Sequence, residues 1–526
     1  MQLRRAILAS ALTALVALAW SPAAVAAAPP TAVIRVMTLN IFYGGDELDL
    51  HTGSWCHRSA GCPETLEQVE TVIRESGADI VGIEEGEHNV GAIAKALGWH
   101  VSERTQVLSR FPIVDPPGAA GIYVWVEVLP GRFVAIANVH LPSDPYGPYN
   151  IRDGASLADV LDLETSVRLP AIQRQLAVLP GLAAAGMPTF LTGDFNSPSH
   201  LDWTPAVAAV RAEVPYPVDW PVSQALADAG LHDSYRAVHP DPVAVPGFTW
   251  TPGGPESDPH EVHDRIDWVL ASGPATAIDS TVVGEAGGPD VGVGFDPWPT
   301  DHRGVVSTFV VTPAVPAPFV APGARRVFVG ADLAVRYRTG AASGESLRIV
   351  PQGQGPSAAV ATTAVGPPGA RDGTATFATA GLAARAYDVI LVAGGGVLSR
   401  SPFWLYRRGT ETTVRTSKDV YRVGEPIQVS WRAAPGLRWD WLGVYSPGDV
   451  GTSPHSAGCN SGCNGNSRYL LYVYTQTAIQ GTATIGPAAF PGSMTWPLKP
   501  GTYAIRFLVD DSYRSIAVSA NFKIVK

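Results

Sequence analysis

The chain has few long hydrophobic runs, and after residue 27 none of them reaches the length of a transmembrane helix. The first segment differs from the rest. It carries Arg4 and Arg5, an apolar run over residues 6–20 and the small residues Ala24-Val25-Ala26, which is the pattern of a signal peptide over residues 1–27. We therefore expect a soluble, secreted (extracellular) protein whose mature chain begins near residue 27 or 28. The alternative is an uncleaved segment that stays as an anchor.

Cysteine is scarce, with four residues in the chain of 526. They lie in two close pairs, Cys56 with Cys62 and Cys459 with Cys463, and in an exported chain such pairs predict two small disulfides and no free thiol. The alternative for the second pair is a metal site that includes the nearby His455. Structural zinc normally takes four nitrogen or sulfur ligands, and no second cluster of such residues is in view, so the disulfide is favoured.

An excess of positive charge is also missing, since the formal net charge is −10 and the pI is about 5.6. No loop combines many arginines with interleaved aromatic residues, as a nonspecific nuclease would. A broad surface for nucleic acid is therefore not expected, although a local basic patch would be enough.

The first 302 residues contain six short polar motifs, and each of them lies where an apolar run ends. The motifs are Val36-Met37-Thr38-Leu39-Asn40, Ile83-Glu84-Glu85, Ala137-Asn138-Val139-His140, Gly193-Asp194-Phe195-Asn196, Asp264-Arg265-Ile266-Asp267-Trp268 and Thr300-Asp301-His302. An α/β protein gathers distant residues into one pocket by placing them at the ends of buried strands. Carboxylates, amides and imidazoles without a serine or cysteine nucleophile indicate metal-assisted hydrolysis.

The order and form of these motifs resemble the endonuclease/exonuclease/phosphatase family, the DNase I-like phosphohydrolases. The resemblance extends from Ile34 to about Val311, a little over half of the chain. It implies an α+β fold, the DNase I-like four-layered α/β/β/α sandwich, in which two packed sheets have helices outside. It also implies a metal-dependent phosphoester hydrolase.

The resemblance assigns metal binding to Glu85 and Asn40, with Asp301 as a second oxygen ligand. Mg²⁺ suits such oxygen ligands, and Mn²⁺ or Ca²⁺ are alternatives. Glu84 occupies a position that is usually glutamine in the family.

The remaining polar residues of the motifs are expected to act on water and phosphate. The spacing of two sends Asp194 and Asn196 to one side of an extended segment, where Asp194 can orient or deprotonate water and Asn196 can donate to a phosphoryl oxygen. The resemblance implies that Asp267 orients His302 toward the phosphate and that His140 is a second imidazole in contact with it.

Two further groups are weaker candidates. Tyr146 and Tyr149, in the loop after His140, are expected to face the substrate; the alternative is a rigid turn that packs on the domain. A second metal at His260, His263 and Asp264 is disfavoured because these residues lie in a loop rich in proline and glycine.

After a proline-rich segment, the sequence changes to short segments of alternating apolar and polar residues separated by glycine and proline. We predict a catalytic domain over residues 30–312, a stiff linker over 313–322 and two β-sandwich modules over 323–408 and 409–526. A faint repeat relates the two immunoglobulin-like modules. In the second, Asp440-Trp441-Leu442-Gly443 resembles the signature of SKICH-type sandwiches, although a buried tryptophan on a sandwich strand is the favoured explanation. A chain cut after Pro316 is expected to keep its activity.

The expected activity is that of a phosphodiesterase on nucleic acid or another environmental phosphodiester. The alternatives are a phosphomonoesterase and a sphingomyelinase-like or inositol-phosphatase-like enzyme on membrane lipid headgroups; Ser197-Pro198 after Asn196 counts against the inositol branch. From another class, the alternative is a noncatalytic surface-binding protein. The C-terminal modules are candidates for contact with a cell surface or glycan.

Overall fold

The computed structural model describes residues 29–56, 58, 61–255, 258, 260–340, 344–366, 371–447, 468–510 and 512–526. The predicted signal peptide, the pair Cys459 and Cys463, and His455 lie outside these residues. Thr31–Lys526 form one compact unit. Within the described ranges, no helix has both the length and the apolar character needed to cross a membrane. The predicted disulfide between Cys56 and Cys62 is present.

The first 311 residues alternate strands and helices. The strands are β1 (Ala32–Asn40), β2 (Leu48–Asp49), β3 (Ser54–Trp55), β4 (Ile80–Glu84), β5 (His100–Ser102), β6 (Val107–Ser109), β7 (Ile113–Val114), β8 (Val124–Leu129), β9 (Arg132–His140), β10 (Thr189–Asp194), β11 (His232–Asp233), β12 (Asp267–Ser272), β13 (Ala275–Glu285), β14 (Val291–Phe295) and β15 (Gly304–Val311). The helices are α1 (Pro63–Glu75), α2 (Val90–Leu97), α3 (Gly147–Arg152), α4 (Leu157–Ala184), α5 (Pro205–Ala208), α6 (Pro221–Asp228) and α7 (Ser234–Val238), with a 3₁₀ turn at Tyr43–Gly45.

These strands form two mixed sheets. One has the order β14-β13-β15-β1-β4-β6-β5 and the other the order β11-β12-β10-β9-β8-β7. In each sheet a parallel pair lies at the centre, β1 with β4 and β9 with β10. Each pair is flanked by an antiparallel partner, β15 beside β1 and β12 beside β10.

The two sheets pack face to face, and helices cover their outer faces. Val36, Ile136 and Phe190 lie in the core between the sheets. Met37 and Leu39 of β1 point the other way and pack with residues of α1 and α2. The second sheet packs on α4 and α6 in the same manner. Because the central strands are buried on both faces, their sequences are nearly continuous apolar runs. The predicted four-layered α/β/β/α sandwich is confirmed.

The C-terminal region is built almost entirely of strands. They are β16 (Phe319–Pro322), β17 (Arg326–Phe328), β18 (Asp332–Arg338), β19 (Ser346–Pro351), β20 (Ala361–Ala364), β21 (Asp372–Ala378), β22 (Ala386–Ala393), β23 (Gly396–Tyr406), β24 (Thr413–Thr416), β25 (Val420–Arg422), β26 (Ile427–Arg432), β27 (Trp441–Tyr445), β28 (Leu471–Tyr474), β29 (Gly481–Ile485), β30 (Phe490–Pro491), β31 (Gly501–Leu508), β32 (Ser515–Val518) and β33 (Phe522–Val525), with a 3₁₀ turn at Pro356–Ala358.

The two C-terminal modules share one strand order, which accounts for the repeat in the sequence. In the first, sheets β16-β18-β21 and β17-β23-β22-β19-β20 enclose one core. In the second, the corresponding sheets are β24-β26-β29 and β25-β33-β31-β27-β28-β30, with β32 beside β31, around another core. These paired sheets confirm that the region consists of β-sandwich modules. The boundaries assigned to the domains stay predictions.

The proline-rich segment over residues 313–322 packs on the catalytic domain. Ala314 exchanges two backbone hydrogen bonds with Phe133 of β9. The ring of Phe319 in β16 lies 5.3 Å from that of Trp125 and 6.0 Å from that of Phe133, measured between centroids. The segment therefore contributes to a core as well as joining two domains. A chain cut after Pro316 would lose Phe319 and uncover Trp125 and Phe133.

Replacing Phe319 with alanine should destabilise the catalytic domain by roughly 3 kcal/mol, because a fully buried phenylalanine is lost from a packed cluster. The measurement is the midpoint of thermal unfolding of the full chain. Val315→Ala is the matched control, because Val315 lies in the same segment and is 48% exposed. Equal midpoints for the two variants would show that the segment acts only as a connection.

Candidate active site

The sheet topology brings the polar strand ends to one place. In the first sheet Asn40 and Glu84 are register partners at the ends of parallel β1 and β4, and Glu85 is the next residue. In the second sheet Asp194 lies between His140 and Asp267, because β10 runs parallel to β9 and antiparallel to β12. The segment before β15 adds Asp301 and His302. All eight predicted catalytic and metal-binding residues therefore lie at the same edge of the two packed sheets.

Glu85 is held by hydrogen bonds to both of its carboxylate oxygens. Tyr43 N donates to Oε2 over 2.8 Å, and Asn40 Nδ2 donates to Oε1 over 3.3 Å. The Asn40 amide also donates to Asp194 Oδ2 over 3.1 Å, so it links the two carboxylates. Glu85 has a φ of +54°, which is unfavourable for a residue other than glycine. A strained backbone at a fixed, half-buried carboxylate is typical of a functional position.

Asp194 ends β10, and Asn196 follows it in a tightly constrained turn. Gly193 is required there because a Cβ would lie 2.3 Å from the carbonyl oxygen of Val139. Asp194 Oδ1 accepts a hydrogen bond from Asn196 N over 2.8 Å, and Phe195 stacks on Trp268 at 4.2 Å between centroids. Asn196 Nδ2 donates to Leu141 O at 3.0 Å and to Asp194 Oδ2 at 3.3 Å. In this arrangement Asn196 positions Asp194, and its predicted bond to phosphate would require one of these contacts to be exchanged.

His302 and Asp267 form the predicted pair. His302 Nδ1 lies 3.0 Å from Asp267 Oδ2, and Nε2 lies 3.6 Å from Asp194 Oδ2. The Trp250 ring covers the imidazole at 4.8 Å between centroids. Burial alone would lower the pKa of His302, but the charges of Asp267 and Asp194 raise it well above its ordinary value. These charges favour the protonated imidazole, in which Nδ1–H donates to Asp267.

The carboxylates of the site form an environment that favours a divalent cation. Burial, helped by the charge of Glu85, raises the pKa of Asp301 to about 7, and burial raises the pKa of Asp194. His140 Nε2 lies 3.8 Å from Glu85 Oε1 and 3.7 Å from Asp194 Oδ2. Oxygen ligands from Asn40, Glu85 and Asp301 fit Mg²⁺, Mn²⁺ or Ca²⁺.

A second group of residues could also hold a metal. Asp194, Asp267 and His302 each place one ligand atom within 4.8 Å of the others. His302 Nδ1 lies 3.0 Å from Asp267 Oδ2, so a metal in this group would bind His302 through its other nitrogen, Nε2, which lies 3.6 Å from Asp194 Oδ2. We keep Glu85 as the predicted metal ligand and these residues as the predicted acid and base groups.

The two tyrosines predicted to face the substrate have protein partners. Tyr146 is 7% exposed, and its hydroxyl donates to Asp264 Oδ2 over 3.0 Å. Tyr149 donates to Glu261 Oε1 over 2.7 Å and accepts from Trp250 Nε1 over 3.2 Å. These bonds favour the rigid-turn alternative for Tyr146. A role of Tyr149 in substrate binding stays a prediction.

The loop that contains His260, His263 and Asp264 is organised for packing. Asp264 Oδ1 accepts from Trp203 Nε1 over 2.8 Å, and its other oxygen is bound by Tyr146. His263 Nε2 lies 3.2 Å from Pro255 O. These contacts engage both oxygens of Asp264 and one nitrogen of His263, which a second metal would need as ligands.

Two features of the site were not anticipated from the sequence. Glu84 is fully buried, and its Oε1 accepts from Thr38 Oγ1 over 3.1 Å. Burial and the charge of Asp267 raise the pKa of Glu84 well above its ordinary value, which favours the uncharged form, similar to the glutamine usual at this position. The other feature is a set of tyrosines from the last sandwich beside Glu85 and His140. The alternation of Tyr472 and Tyr474 in β28 was the available signal.

The fold and the site together define a phosphoester hydrolase. The chain belongs to the Endonuclease/Exonuclease/phosphatase family, whose model matches residues 37–302. It is 28% identical over 270 residues to the uncharacterized protein F14F9.5 of Caenorhabditis elegans, a match that covers 46% of this chain and 79% of that protein.

Two solved structures are similar to the chain. An AP endonuclease from Archaeoglobus fulgidus has 14% identity and a TM-score of 0.34, with 52% of this chain and 98% of that chain covered. The mannosyl-6-phosphatase Bt3783 of Bacteroides thetaiotaomicron has 14% identity and a TM-score of 0.30, with 52% of this chain and 99% of that chain covered.

Proposed function

We propose that the protein is an exported, divalent-metal-dependent phosphodiesterase in which water attacks phosphorus directly. The observation that carries the proposal is the convergence of Glu85, Asp194 and His302 at one sheet edge, joined through the Asn40 amide and the Asp267 carboxylate. The disulfide between Cys56 and Cys62 supports export to an oxidising compartment.

Each group has a distinct task in this proposal. A bound cation supplies charge neutralisation at a nonbridging phosphate oxygen. Asp194, fixed by Asn40 and Asn196, orients the attacking water and accepts its proton. His302, held in its charged form by Asp267, stabilises the negative charge that develops on the phosphoryl oxygens. His140 lies beside both carboxylates and can contact the same oxygens.

The charge of the site favours a diester over a monoester. A diester carries one negative charge and a monoester close to two near neutral pH. Among the described residues that line the cavity beside Glu85, carboxylates are present but lysine and arginine are not. A dianion would therefore meet more repulsion there than a monoanion would.

The test is hydrolysis of bis-(p-nitrophenyl) phosphate and p-nitrophenyl phosphate by the exported chain, with Mg²⁺, Mn²⁺ or Ca²⁺ and with a chelator. We expect diester turnover that requires a metal and exceeds monoester turnover by at least about 10-fold, equivalent to a barrier difference of about 1.4 kcal/mol. Plasmid DNA, RNA and sphingomyelin vesicles test the natural substrate classes in the same buffers. Diester turnover that survives exhaustive chelation would contradict the proposal.

A further inference from the structure

A cavity of about 460 Å³ opens beside the candidate active site, and its walls come from two distant parts of the chain. One wall belongs to the catalytic domain and includes Glu85, His140 and residues 141–144. The other belongs to the last sandwich and consists mainly of Trp441, Tyr469, Tyr472, Tyr474 and Tyr513, which we call the aromatic wall. One of the two groups bonded to a phosphate at Glu85 and His140 can therefore extend toward this wall.

The aromatic wall is a continuous cluster of rings. Trp441 lies at its base, 4% exposed, with ring centroids 5.2 Å from Tyr469, 5.7 Å from Tyr472 and 6.2 Å from Tyr513. Tyr472 and Tyr474 are 5.6 Å apart, because the alternation of β28 places both on one face. The four tyrosines are half-buried. The faces of such rings carry negative electrostatic potential, which attracts cations.

Polar contacts hold the wall in place relative to Glu85. Gln106 Nε2 donates to Asp510 Oδ1 of the last sandwich over 2.7 Å, while Gln106 Oε1 accepts from Gly86 N over 3.3 Å. Thr477 Oγ1 donates to Ala120 O over 3.1 Å. The residue after Glu85 is thus connected through one side chain to the module that carries the wall.

The charges around the cavity select against a polyanion. The described residues that line it include Glu85, Glu87 and Asp144 but neither lysine nor arginine. After residue 28, the positions that the structure does not describe contain neither lysine nor arginine in the sequence. A nucleic acid strand needs cations along its backbone, so it fits this cavity poorly. A neutral sugar could stack on the rings and donate hydrogen bonds to the carboxylates, but it would gain no attraction between charges from either.

We propose that the aromatic wall binds the cationic group of a phosphodiester formed by a quaternary ammonium alcohol such as choline. This inference rests on the proposed function and names its substrate class. The rings contact the ammonium group while the phosphate lies at Glu85 and His140. Water forms a new bond to phosphorus, the bond from phosphorus to one ester oxygen breaks, and that alcohol leaves with a proton. Such diesters occur in soluble glycerophosphodiesters and in lipid headgroups.

The test compares p-nitrophenyl phosphorylcholine with the ester in which carbon replaces the ammonium nitrogen, which we call the neutral ester because its alcohol carries no charge. The two esters have the same shape, so their ratio of kcat/KM isolates the charge. We expect the choline ester to be preferred about 10-fold, the factor that corresponds to a cation–π energy within the usual range. Tyr472→Leu should lower kcat/KM for the choline ester more than for the neutral ester and so abolish most of this preference.

Tyr406→Leu is the matched control, because Tyr406 is a half-buried tyrosine of the other sandwich and does not line the cavity. It should keep the full preference. Equal kcat/KM for the two esters, or a preference that persists in Tyr472→Leu, would overturn the assignment. So would preferred cleavage of a thymidine p-nitrophenyl phosphate, which would indicate stacking on a nucleobase instead.

Calorimetric titration with tetramethylammonium in the presence of chelator tests the wall without catalysis. Binding that weakens in Tyr472→Leu but not in Tyr406→Leu supports the inference, and no binding overturns it. Absence of diester hydrolysis with every metal would instead reject the proposed function. Hydrolysis of glycerophosphocholine would identify the substrate as a soluble diester. Hydrolysis of phosphatidylcholine in vesicles would identify it as a lipid headgroup.

Discussion

Replacing His302 with alanine should reduce kcat for bis-(p-nitrophenyl) phosphate at least about 100-fold, the range for loss of a group that stabilises transition-state charge. The imidazole is buried, lies 3.6 Å from Asp194 Oδ2 and is kept charged by Asp267. Asp267→Asn should cause a smaller loss, because the amide can still accept from Nδ1–H but no longer favours the imidazolium.

The double variant distinguishes a functional pair from two independent residues. If Asp267 acts through His302, the loss in the double variant should fall well short of the product of the single losses. The affinity for metal should change little in all three variants. His100→Ala is a control, because His100 is exposed at the start of β5. Multiplicative losses, or a shifted metal requirement in His302→Ala, would show that the two residues do not act as a unit.

Replacing Glu85 with glutamine should weaken the apparent affinity for the activating metal by about 100-fold or more. Mutation of residues that only hydrogen-bond to metal ligands typically costs about 10–100-fold, and loss of a ligand should cost at least the upper value. Glutamine has nearly the same shape and keeps an oxygen that can accept from Tyr43 N, so the turn after β4 should survive. The measurement is turnover as a function of metal concentration, with the thermal midpoint as a check on folding.

Two comparisons make this prediction specific. Glu67→Gln removes the same charge from an exposed position on α1 and should leave the metal titration unchanged. His302→Ala should lower kcat without moving the metal titration. A Glu85→Gln enzyme that saturates at the wild-type metal concentration would show that the cation is bound elsewhere, and Asp194 with Asp267 would then be the first alternative.

The catalytic fold and the meeting of the polar motifs could be predicted because both follow from strand patterns. Buried strands such as β1 and β10 are mostly apolar, so the polar residue that ends each of them, Asn40 or Asp194, marks the sheet edge. Residues at the ends of adjacent parallel strands must then be neighbours. That rule predicts that His140 and Asp194 are neighbours, and the resemblance of the motifs adds Asn40 to the same site.

The details that depend on side-chain competition could not be predicted. Tyr146 follows His140 closely in sequence, but Asp264, more than a hundred residues away, binds its hydroxyl. Asn196 lies on the expected side, yet Leu141 O and Asp194 take its amide hydrogens. Strand patterns predict which face of a strand is buried. They do not predict which distant acceptor binds a given donor.

The position of the last sandwich on the catalytic domain could not be predicted from sequence patterns either. The change of sequence pattern after residue 312 indicated separate modules. The alternation of residues in β27 and β28 shows which side chains share a face, but not which surface of the catalytic domain that face contacts. The polar contacts between this module and the catalytic domain, such as that between Gln106 and Asp510, join single residues and leave no periodic signal in the sequence.

The contact between Gln106 and Asp510 joins residues 404 positions apart, and this separation has a consequence for biosynthesis. A ribosome that has made every catalytic residue up to His302 must still add more than two hundred residues before Tyr513 exists. Throughout that interval, the cavity beside Glu85 lacks one side. A nascent or interrupted chain would thus carry the hydrolytic groups without the surface that selects a substrate, and the finished specificity arises only at the end of synthesis.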